Sequence, residues 1–551
     1  MQRRGKIEEW KELRNYLFAT DTTTTSNSSL PWKNKTTLPK LCQIRDNLHS
    51  NYISALFPND EWLTWEGYSP SDAARDKKKA IEAYISNKCR MGDFRQVVSQ
   101  LVLDYIDYGN AFGTVDYVSS MREGPDGQMV QVFNGPKARR ISPMDIVFNP
   151  LSTSFEDSPK IVRSLMTLGE LATMGEDFSD QKMFASALKQ RAKICRPQSY
   201  GWEQMDKLEG LQIDGFGNFE EYIGSGYVEV LSYYGDLYDA SSGKLARGRR
   251  VVIIDRMWVV SDEALPTWLG GAPIFQVGWR TRPDNLWSMG PLDNLVGMQY
   301  RIDHLENLRS DAMDLAVLPP LVIAGEVEQF RYEPGAEIHL DEGGTVTELA
   351  KNAQWVIQAD NAISMLEQRM EMYAGAPREA MGIRTAGEKT AFEVQQLQNA
   401  AGRIFQEKVT HFETMLLEKL LNAMLETAVR NMNSADVVRS LDHELGASVF
   451  MTLTKEDITA NGILRPIGAR HFAANAQLLQ NLVGVMNSQL APMIAPHMSS
   501  KRLATMIEDL IGVGRFELFR PYAQIDEQQE MQSYTNMAQE QLALEDQQPA
   551  V

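Results

Sequence analysis

Residues 93–118 read DFRQVVSQLVLDYIDYGNAFGTVDYV, and the spacing of apolar residues changes within this stretch. A four-residue spacing in its first half predicts an amphipathic helix over 93–108, with Val97, Leu101 and Tyr105 on one face. From Asn110 onward the pattern favours a strand. A helix therefore leads directly into a sheet, which is typical of an α+β fold.

The start of this helix carries its own signal. Asp93 and Gln96 stand at the spacing of a capping box, in which each side chain bonds the other residue's backbone N–H group. A second helix is predicted just upstream, over 71–87, and another near the N-terminus, over 6–18.

Turn residues divide the following sequence into hairpins. Strands over 112–118 and 129–133 flank Pro125-Asp126-Gly127, where proline presets φ and glycine tolerates positive φ. A second pair of strands is expected over 227–234 and 249–260. The first half of the chain is thus predicted to mix helix and sheet.

Long helices dominate the second half. Apolar residues at three- or four-residue steps predict helices over 291–315 and 355–373, although Gln299 interrupts the first stripe. A third pattern, over 388–431, contains no proline and would extend roughly 65 Å as one helix. Between the first two lies a short β-like stretch, 321–340.

Composition limits the function classes. The chain has 551 residues, with 55 Lys plus Arg against 73 Asp plus Glu, for a net charge of −18. This charge has the wrong sign for a protein that coats nucleic acid with its whole surface, so any DNA contact should be local. Three cysteines favour a reducing compartment. The basic N-terminus runs into acids, and no apolar run reaches the length of a bilayer span, so we expect neither a secretory signal nor a membrane contact.

The polar run at 20–29, TDTTTTSNSS, has no apolar anchor and is predicted to be a mobile loop. The final segment, 522–551, contains many glutamines and acids but no Lys or Arg. It is expected to be a helical or disordered acidic tail.

Enzymatic signals are weak. Residues 382–390, GIRTAGEKT, resemble a phosphate-binding loop, but Glu388 separates the glycine from the lysine. The seven histidines lack the paired spacing of a zinc hydrolase. The acid pairs Asp104 with Asp107 and Asp303 with Glu306 lie one helical turn apart, and they are interpreted as solvated helix faces rather than metal sites. We therefore expect no catalytic residue, metal or cofactor.

Several short motifs follow one another along the chain: 107–112 (DYGNAF), 140–148 (RISPMDIVF), 281–283 (TRP) through Gly290-Pro291, the helical residues Gln299, Asp303 and Asn307, 317–340 with Pro334-Gly335, and Arg384-Thr385-Ala386 with Glu388. The order of these stretches resembles the portal protein, or head-to-tail connector, of tailed bacteriophages, particularly the short-tailed podovirus type. Each motif is short, and their order along most of the chain carries the resemblance.

The resemblance implies a portal fold with a mixed α/β wing, a helical stem, a small β-containing clip, a long wing helix and a helical crown. The implied boundaries are wing 1–285, stem helix 286–316, clip 317–351, second stem helix 352–374, tunnel loop 375–389, long wing helix with return strands 390–465, crown 466–525, and acidic glutamine-rich tail 526–551.

The resemblance also implies a non-enzymatic function. Portal subunits form a ring, usually a dodecamer, at one capsid vertex of the virion after assembly in the host cytoplasm. The ring is the conduit for genome packaging by terminase, for DNA retention and for genome ejection. Its implied partners are the major capsid protein, the terminase large subunit, tail adaptor proteins and the double-stranded DNA in the channel.

Two groups of site residues follow. In the predicted tunnel loop, three cations would contact the DNA backbone and three glycines would act as hinges: Arg378, Arg384 and Lys389, with Gly375, Gly382 and Gly387. In the predicted clip, four charged residues are candidates for motor or adaptor docking: Glu326, Glu328, Arg331 and Glu333. A surface connection and a solvated strand face are the alternatives for these two groups.

Two other classes of function stay open. One is another virion structural protein, such as an adaptor or scaffold, that shares long helices without forming a conduit. The other is a nuclease or nucleotide hydrolase built on the imperfect glycine loop or on an acid cluster.

Overall fold

The computed structural model describes residues 4–58, 62–123, 127–178, 180–192, 227–240, 243–265, 271–317, 319, 321–325, 344–348, 354–374, 404–433, 435–442 and 447–467. The chain divides into two compact units. The larger includes the described residues of Met1–Leu56, Thr64–Val438 and Thr452–Pro466, and the smaller includes those of Phe57–Leu63, Arg439–Met451 and Ile467–Val551.

Helices and strands alternate in blocks, so the α+β prediction is confirmed. Within the described residues, 404–412 are α-helical, and the other helices are α1 (Arg4–Phe18), α2 (Lys40–Leu56), α3 (Arg75–Met91), α4 (Phe94–Asp107), α5 (Leu168–Met174), α6 (Gln181–Ala192), α7 (Val296–Val317), α8 (Gln354–Tyr373), α9 (Glu418–Asn431) and α10 (Lys455–Ile458). The strands are β1 (Leu63–Gly67), β2 (Asn110–Glu123), β3 (Met129–Ile141), β4 (Ile146–Phe148), β5 (Lys160–Thr167), β6 (Tyr227–Asp239), β7 (Lys244–Ile254), β8 (Trp258–Ala264), β9 (Ile274–Gly278), β10 (Arg280–Arg282), β11 (Asn285–Met289), β12 (Leu321–Ala324), β13 (Thr345–Glu348), β14 (Asp436–Asp442), β15 (Ala447–Leu453) and β16 (Gly462–Pro466).

The hairpin predicted after α4 is confirmed. Strands β2 and β3 are antiparallel, with Phe112 opposite Ile141 and Glu123 opposite Met129. Strand β9 pairs antiparallel with the first residues of β2, which completes a three-stranded sheet in the order β3-β2-β9. The first six residues of β2 are buried, as expected for a central strand.

A second sheet has the order β4-β5-β6-β7-β8, and all its neighbouring strands are antiparallel. The predicted pairing of 227–234 with the strand that begins near 249 is confirmed, but that strand does not extend to 260, because the chain turns between β7 and β8. Asp255 and Arg256 adopt φ values of 47° and 59° at this turn. Aspartate is among the residues that tolerate positive φ. Because neither residue is glycine, which is the usual sequence signal of positive φ, the sequence pattern did not indicate this turn.

The helix over 93–108 is confirmed as α4, but the predicted capping box is wrong. Asp93 has φ 55° and its side chain makes no capping hydrogen bond to α4. A capping box needs extended backbone at the first residue, and the left-handed conformation at Asp93 removes that geometry.

The polar run at 20–29 is not the mobile loop that its composition predicts. It forms two short 3₁₀ turns, Thr22–Thr24 and Ser26–Ser29, in which Thr22 and Asn27 are fully buried. The Asn27 side chain donates to the Tyr300 carbonyl on α7 at 3.2 Å. Hydrogen bonds to residues distant in sequence anchor the run, and local composition contains no information about such bonds.

Aromatic packing joins α2 and α4 to the helix over 404–412. Tyr105 of α4 lies edge-on to Tyr52 and to Phe412, with ring centroids 5.9 and 5.1 Å apart. Leu420 of α9 lies over Gly113 of β2, where an added Cβ would approach its Cδ1 to 2.9 Å. These contacts place one helical layer against the three-stranded sheet.

The predicted helix over 388–431 is confirmed in part. Residues 404–412 are α-helical, Glu413–Leu417 form a π-helical turn, and α9 continues to Asn431. Residues 388–403 lie outside the described ranges.

In the smaller unit, Phe57 lies edge-on to Trp62 at 4.9 Å, and the Ile467 N–H donates to the Trp62 carbonyl at 2.8 Å.

Candidate functional site

The residues predicted from sequence to act on DNA or on partner proteins lie outside the described residues. These are Arg378, Arg384 and Lys389, the glycines Gly375, Gly382 and Gly387, and the charged group Glu326, Glu328, Arg331 and Glu333. The imperfect glycine loop over 382–390 lies outside them as well. A candidate site can therefore be described only at the motif residues that lie within the described ranges.

Two of the resembling stretches meet at a glycine pair. Gly109, with φ 67°, joins α4 to β2, and a Cβ on it would lie 2.2 Å from the Gly290 nitrogen. A Cβ on Gly290 would in turn lie 2.8 Å from the Ile106 carbonyl oxygen. Only hydrogen in place of a side chain allows the two backbones to approach this closely.

Asn110 reinforces the same junction from inside the protein. Its fully buried side chain donates to the carbonyls of Tyr108 and Ser288, both at 2.9 Å. Its oxygen accepts from the Ser288 N–H at 3.0 Å and from the Gln276 side chain at 3.2 Å. One side chain thus joins β2 to β9 and β11, which explains why an asparagine stands here.

The acid pair of α4 is not a solvated helix face, so that interpretation is wrong. Asp104 accepts from the Arg140 guanidinium at 2.5 and 2.6 Å, and Asp107 accepts from Arg45 at 2.7 and 2.8 Å. Burial raises the pKa of Asp104 to about 7, and the Arg140 pair opposes that rise. Each carboxylate is used in a two-point ion pair, an arrangement that organises structure and leaves few lone pairs for a metal.

Arg140 belongs to the resembling stretch 140–148, and the same stretch supplies a third ion pair. Asp145 accepts from Arg163 of β5 at 3.0 Å, and both side chains are nearly buried. All three pairs border one cavity of about 610 Å³, whose wall also includes Trp10 and Tyr108. Within the described residues, no group of three or more His, Cys, Asp or Glu side chains is arranged to hold a metal ion.

Helices α7 and α8 form an antiparallel hairpin. Arg309, late in α7, pairs with Asp360, early in α8. At the opposite end, Lys40 of α2 pairs with Glu371 of α8 at 2.6 Å, beside Leu41, whose N–H donates to Gln299 of α7 at 3.1 Å. Between the helices in the chain, β12 and β13 pair antiparallel, with Leu321 opposite Glu348. The predictions of helix over 291–315 and 355–373 are confirmed.

One face of α7 carries four polar residues at four-residue spacing: Gln299, Asp303, Asn307 and Asp311. We call this set the polar ladder. The first three are at most 1% exposed. Gln299, which interrupts the apolar stripe, is therefore part of a second, polar stripe on the same helix. The interpretation of Asp303 and Glu306 as a solvated face is wrong, since both are buried.

The ladder binds an extended segment, residues 33–38, which we call the strap. The strap's backbone N–H groups donate to successive ladder side chains: Lys33 and Asn34 to Asp311 at 3.1 and 2.9 Å, Thr36 to Asn307 at 2.8 Å, and Leu38 to Asp303 at 3.0 Å. Asn307 also donates to the Thr36 carbonyl at 2.8 Å. Four helical residues rise about 6 Å and two extended residues about 6.6 Å, so the two periods match.

Asp303 is the most constrained member of the ladder. It accepts from the Leu38 N–H, from the Thr37 hydroxyl at 3.0 Å, and from the Gln299 side chain at 2.9 Å. Burial nevertheless raises the pKa of Asp303 to about 6, because desolvation of the carboxylate outweighs the hydrogen bonds it accepts.

Apolar side chains are exposed along both helices of the hairpin. On α7 and α8 the exposed fractions are 44–76%, and the residues are Leu308, Met313, Val317, Ile357, Met365, Met372 and Tyr373. Single exposed apolar residues are common, but seven on one helical hairpin form the kind of surface that proteins bury against a partner.

The four-residue spacing of Gln299, Asp303 and Asn307 was visible in the sequence, and in the structure this spacing aligns the three side chains with the strap. The strap that they bind was not visible, because it lies more than 260 residues earlier in the chain. The buried Lys40–Glu371 pair spans 331 residues and was missed for the same reason.

None of the helices within the described ranges combines the length and the apolar content that crossing a bilayer requires. Neither a family model nor a curated protein sequence matches this chain.

Proposed function

We propose that this protein is a phage-type portal subunit that closes into a ring around a DNA channel. The helical hairpin of α7 and α8 carries the proposal. It follows the motif stretches at 107–112, 140–148 and 281–291, holds a strand pair at its far end, and exposes apolar side chains along both helices. A helical stem ending in a small β clip is the arrangement that the sequence resemblance implies.

Ring closure supplies the missing cover for the hairpin. Head-to-tail contacts around a rotation axis close into a ring when the angle between neighbours closes. Each copy's α7 and α8 would then pack against the next copy's hairpin, which removes their apolar side chains from water. Burial of this kind is favourable by roughly 25 cal/mol per Å² of apolar surface.

The charge balance suits a conduit. A wall that bound several phosphates per subunit would hold the duplex, whereas a net charge of −18 per chain disfavours tight binding and lets DNA slide. In this proposal, the ring sits at a capsid vertex of the virion among the major capsid protein, the terminase large subunit and the tail adaptors. The protein guides DNA and performs no catalysis.

The deciding experiment is electron microscopy of the purified full-length chain, with its mass measured in solution. We expect annular particles with rotational symmetry and a bore wide enough for duplex DNA. A persistent single-copy species, or a closed disc without a bore, would contradict the proposal and favour an adaptor, a scaffold or a soluble enzyme.

In this proposal, the loop over 375–389 brings local positive charge to the channel. We expect that neutralising Arg378, Arg384 and Lys389 together leaves ring assembly intact but reduces DNA packaging or retention, since fewer cations would contact the phosphate backbone. The measurement is DNA content per particle in a packaging assay. Wild-type DNA content in the triple variant would contradict the assignment of these cations to a DNA-contacting loop, but it would not contradict the proposed ring.

A further inference from the structure

The strap is held at both ends by buried anchors and is open to water in between. Trp32, at its N-terminal end, is 6% exposed and lies against the His304 ring at 5.1 Å between centroids. Lys40, just after its C-terminal end, is 6% exposed and pairs with Glu371. Each residue from Lys33 to Leu38 is exposed or half-buried. The strap thus spans two fixed points across the face of α7.

The groups under the strap are polar and buried. Gln299, Asp303 and Asn307 are inaccessible to water while the strap is in place, and they bind it mainly through its backbone. A buried polar group must keep a hydrogen-bond partner, which can be either the strap or water. Lifting the strap replaces these protein partners with water.

Each ladder residue forms one rung with the strap groups that it binds, and some ladder residues are also bonded to one another. Gln299 donates to Asp303 at 2.9 Å, and Asn307 donates to the Asp303 carbonyl at 2.8 Å. Asn34, at the outer end, donates through its side chain to both Asp311 and Asp314, at 2.8 and 2.9 Å. Asp303 is thus bonded to both neighbouring ladder residues, and all rungs hold the same short strap, so opening at one rung weakens the others and favours concerted opening.

We propose that residues 33–38 and the polar ladder form a clasp that opens and closes as one unit between the anchors Trp32 and Lys40. In the closed state the clasp ties α7 to the N-terminal segment, while Lys40 holds α8. In the open state α7 keeps its helix but loses this lateral support, so the hairpin can change its angle without unfolding. A polar clasp closes again after contact with water, whereas an exposed apolar joint would be prone to aggregate. The clasp belongs to the single chain and does not depend on the portal proposal.

Native-state hydrogen exchange of the full-length protein tests the clasp, because exchange reports local opening. The probes are the strap amides that donate to the ladder: Lys33, Asn34, Thr36 and Leu38. We expect their opening constants to agree within about threefold, and to exceed that of the amide of Leu48, a buried residue in the interior of α2, by about tenfold or more. Opening constants that differ among the four by more than about threefold, or that are no larger than that of the reference amide in α2, would overturn the proposal.

A variant gives an independent reading. Asn307→Ala removes the two bonds to Thr36 and the bond to the Asp303 carbonyl, none of which involves the amides of Lys33, Asn34 or Leu38, yet a single clasp predicts faster opening at all four amides, by about tenfold. The matched control is Gln358→Ala, at an exposed position of α8, which should leave the four amides unchanged. Acceleration confined to Thr36 would show independent rungs and would overturn the clasp. If Asn307→Ala does not fold, the wild-type constants decide alone.

Discussion

Gly109 shows how a single residue determines a junction. Its φ of 67° and the 2.2 Å approach to the Gly290 nitrogen leave no room for a side chain. We expect Gly109→Ala to lower the free energy of unfolding by about 3 kcal/mol, through backbone strain and a steric clash together. Chemical denaturation measures this change.

Gly243 offers a matched control for that experiment. It has nearly the same φ, 65°, but nothing lies within 4 Å of an added Cβ. Gly243→Ala should therefore cost only about 1 kcal/mol, the strain of the left-handed backbone alone. Equal losses at the two positions would show that close packing against Gly290 contributes nothing.

Asp303 and Asp311 lie on the same face of α7, but their pKa values shift in opposite directions. Burial raises the pKa of Asp303 to about 6, above its ordinary 3.8. For Asp311, burial acts in the same direction but is outweighed by hydrogen bonds from Asn34 and Lys33, which lower its pKa. The native state thus holds a proton on Asp303 more tightly than the unfolded state does, and a proton on Asp311 less tightly.

Opposite pH dependences follow from these shifts. The stability that wild type gains from Asp303 over Asp303→Asn should fall by on the order of 2 kcal/mol as the pH rises from 4 to 7. The stability gained from Asp311 over Asp311→Asn should instead be present at neutral pH and decrease as the solution is acidified below pH 4. Denaturation at several pH values measures both differences. The same sign for both would contradict the burial assignment.

At the scale of elements, α8 is held by two ion pairs in different surroundings, one to α2 and one to α7. Lys40 and Glu371 are 6% and 7% exposed, whereas Arg309 and Asp360 are 29% and 50% exposed. Lys40→Met removes the cation that lies 2.6 Å from the buried Glu371 carboxylate, and we expect a loss of about 3 kcal/mol in unfolding free energy.

Arg309→Met is the matched control for Lys40→Met. It removes a pair that water screens, and we expect a loss below about 1 kcal/mol. Thermal and chemical denaturation of both variants measure the difference. A larger loss for Arg309→Met would contradict the view that the buried pair is the stronger of the two ion pairs that hold α8.

At the scale of the whole molecule, the proposed ring depends on the exposed apolar side chains of the hairpin. Met365 and Met372 lie seven residues apart on α8 and are 53% and 65% exposed. Replacing both with glutamate places charge in the proposed contact between copies, and we expect rings to give way to folded single chains. Electron microscopy and solution mass measure the loss.

The control replaces an equally exposed apolar residue outside the hairpin. Tyr68 is 74% exposed, and Tyr68→Glu should leave the rings intact. If the double variant assembles like wild type, the hairpin is not the contact between copies.

Local patterns in the sequence were enough to determine the helices α4, α7 and α8 and the β2–β3 hairpin, because apolar periodicity and turn chemistry act over a few residues. They also displayed the spacing of Gln299, Asp303 and Asn307. They failed where a local signal was overruled, as at Asp93, whose left-handed backbone prevents the cap.

Only the tertiary structure decided which polar residues are buried and what they bind. Asp104 and Asp303 look alike in sequence, one helical turn from a second acid, yet one meets Arg140 and the other meets the strap. The threonine-rich run at 20–29 is ordered because Asn27 reaches α7. The physical reason is the same in each case: the burial of a polar group depends on which distant segment covers it, and sequence periodicity contains no information about that segment.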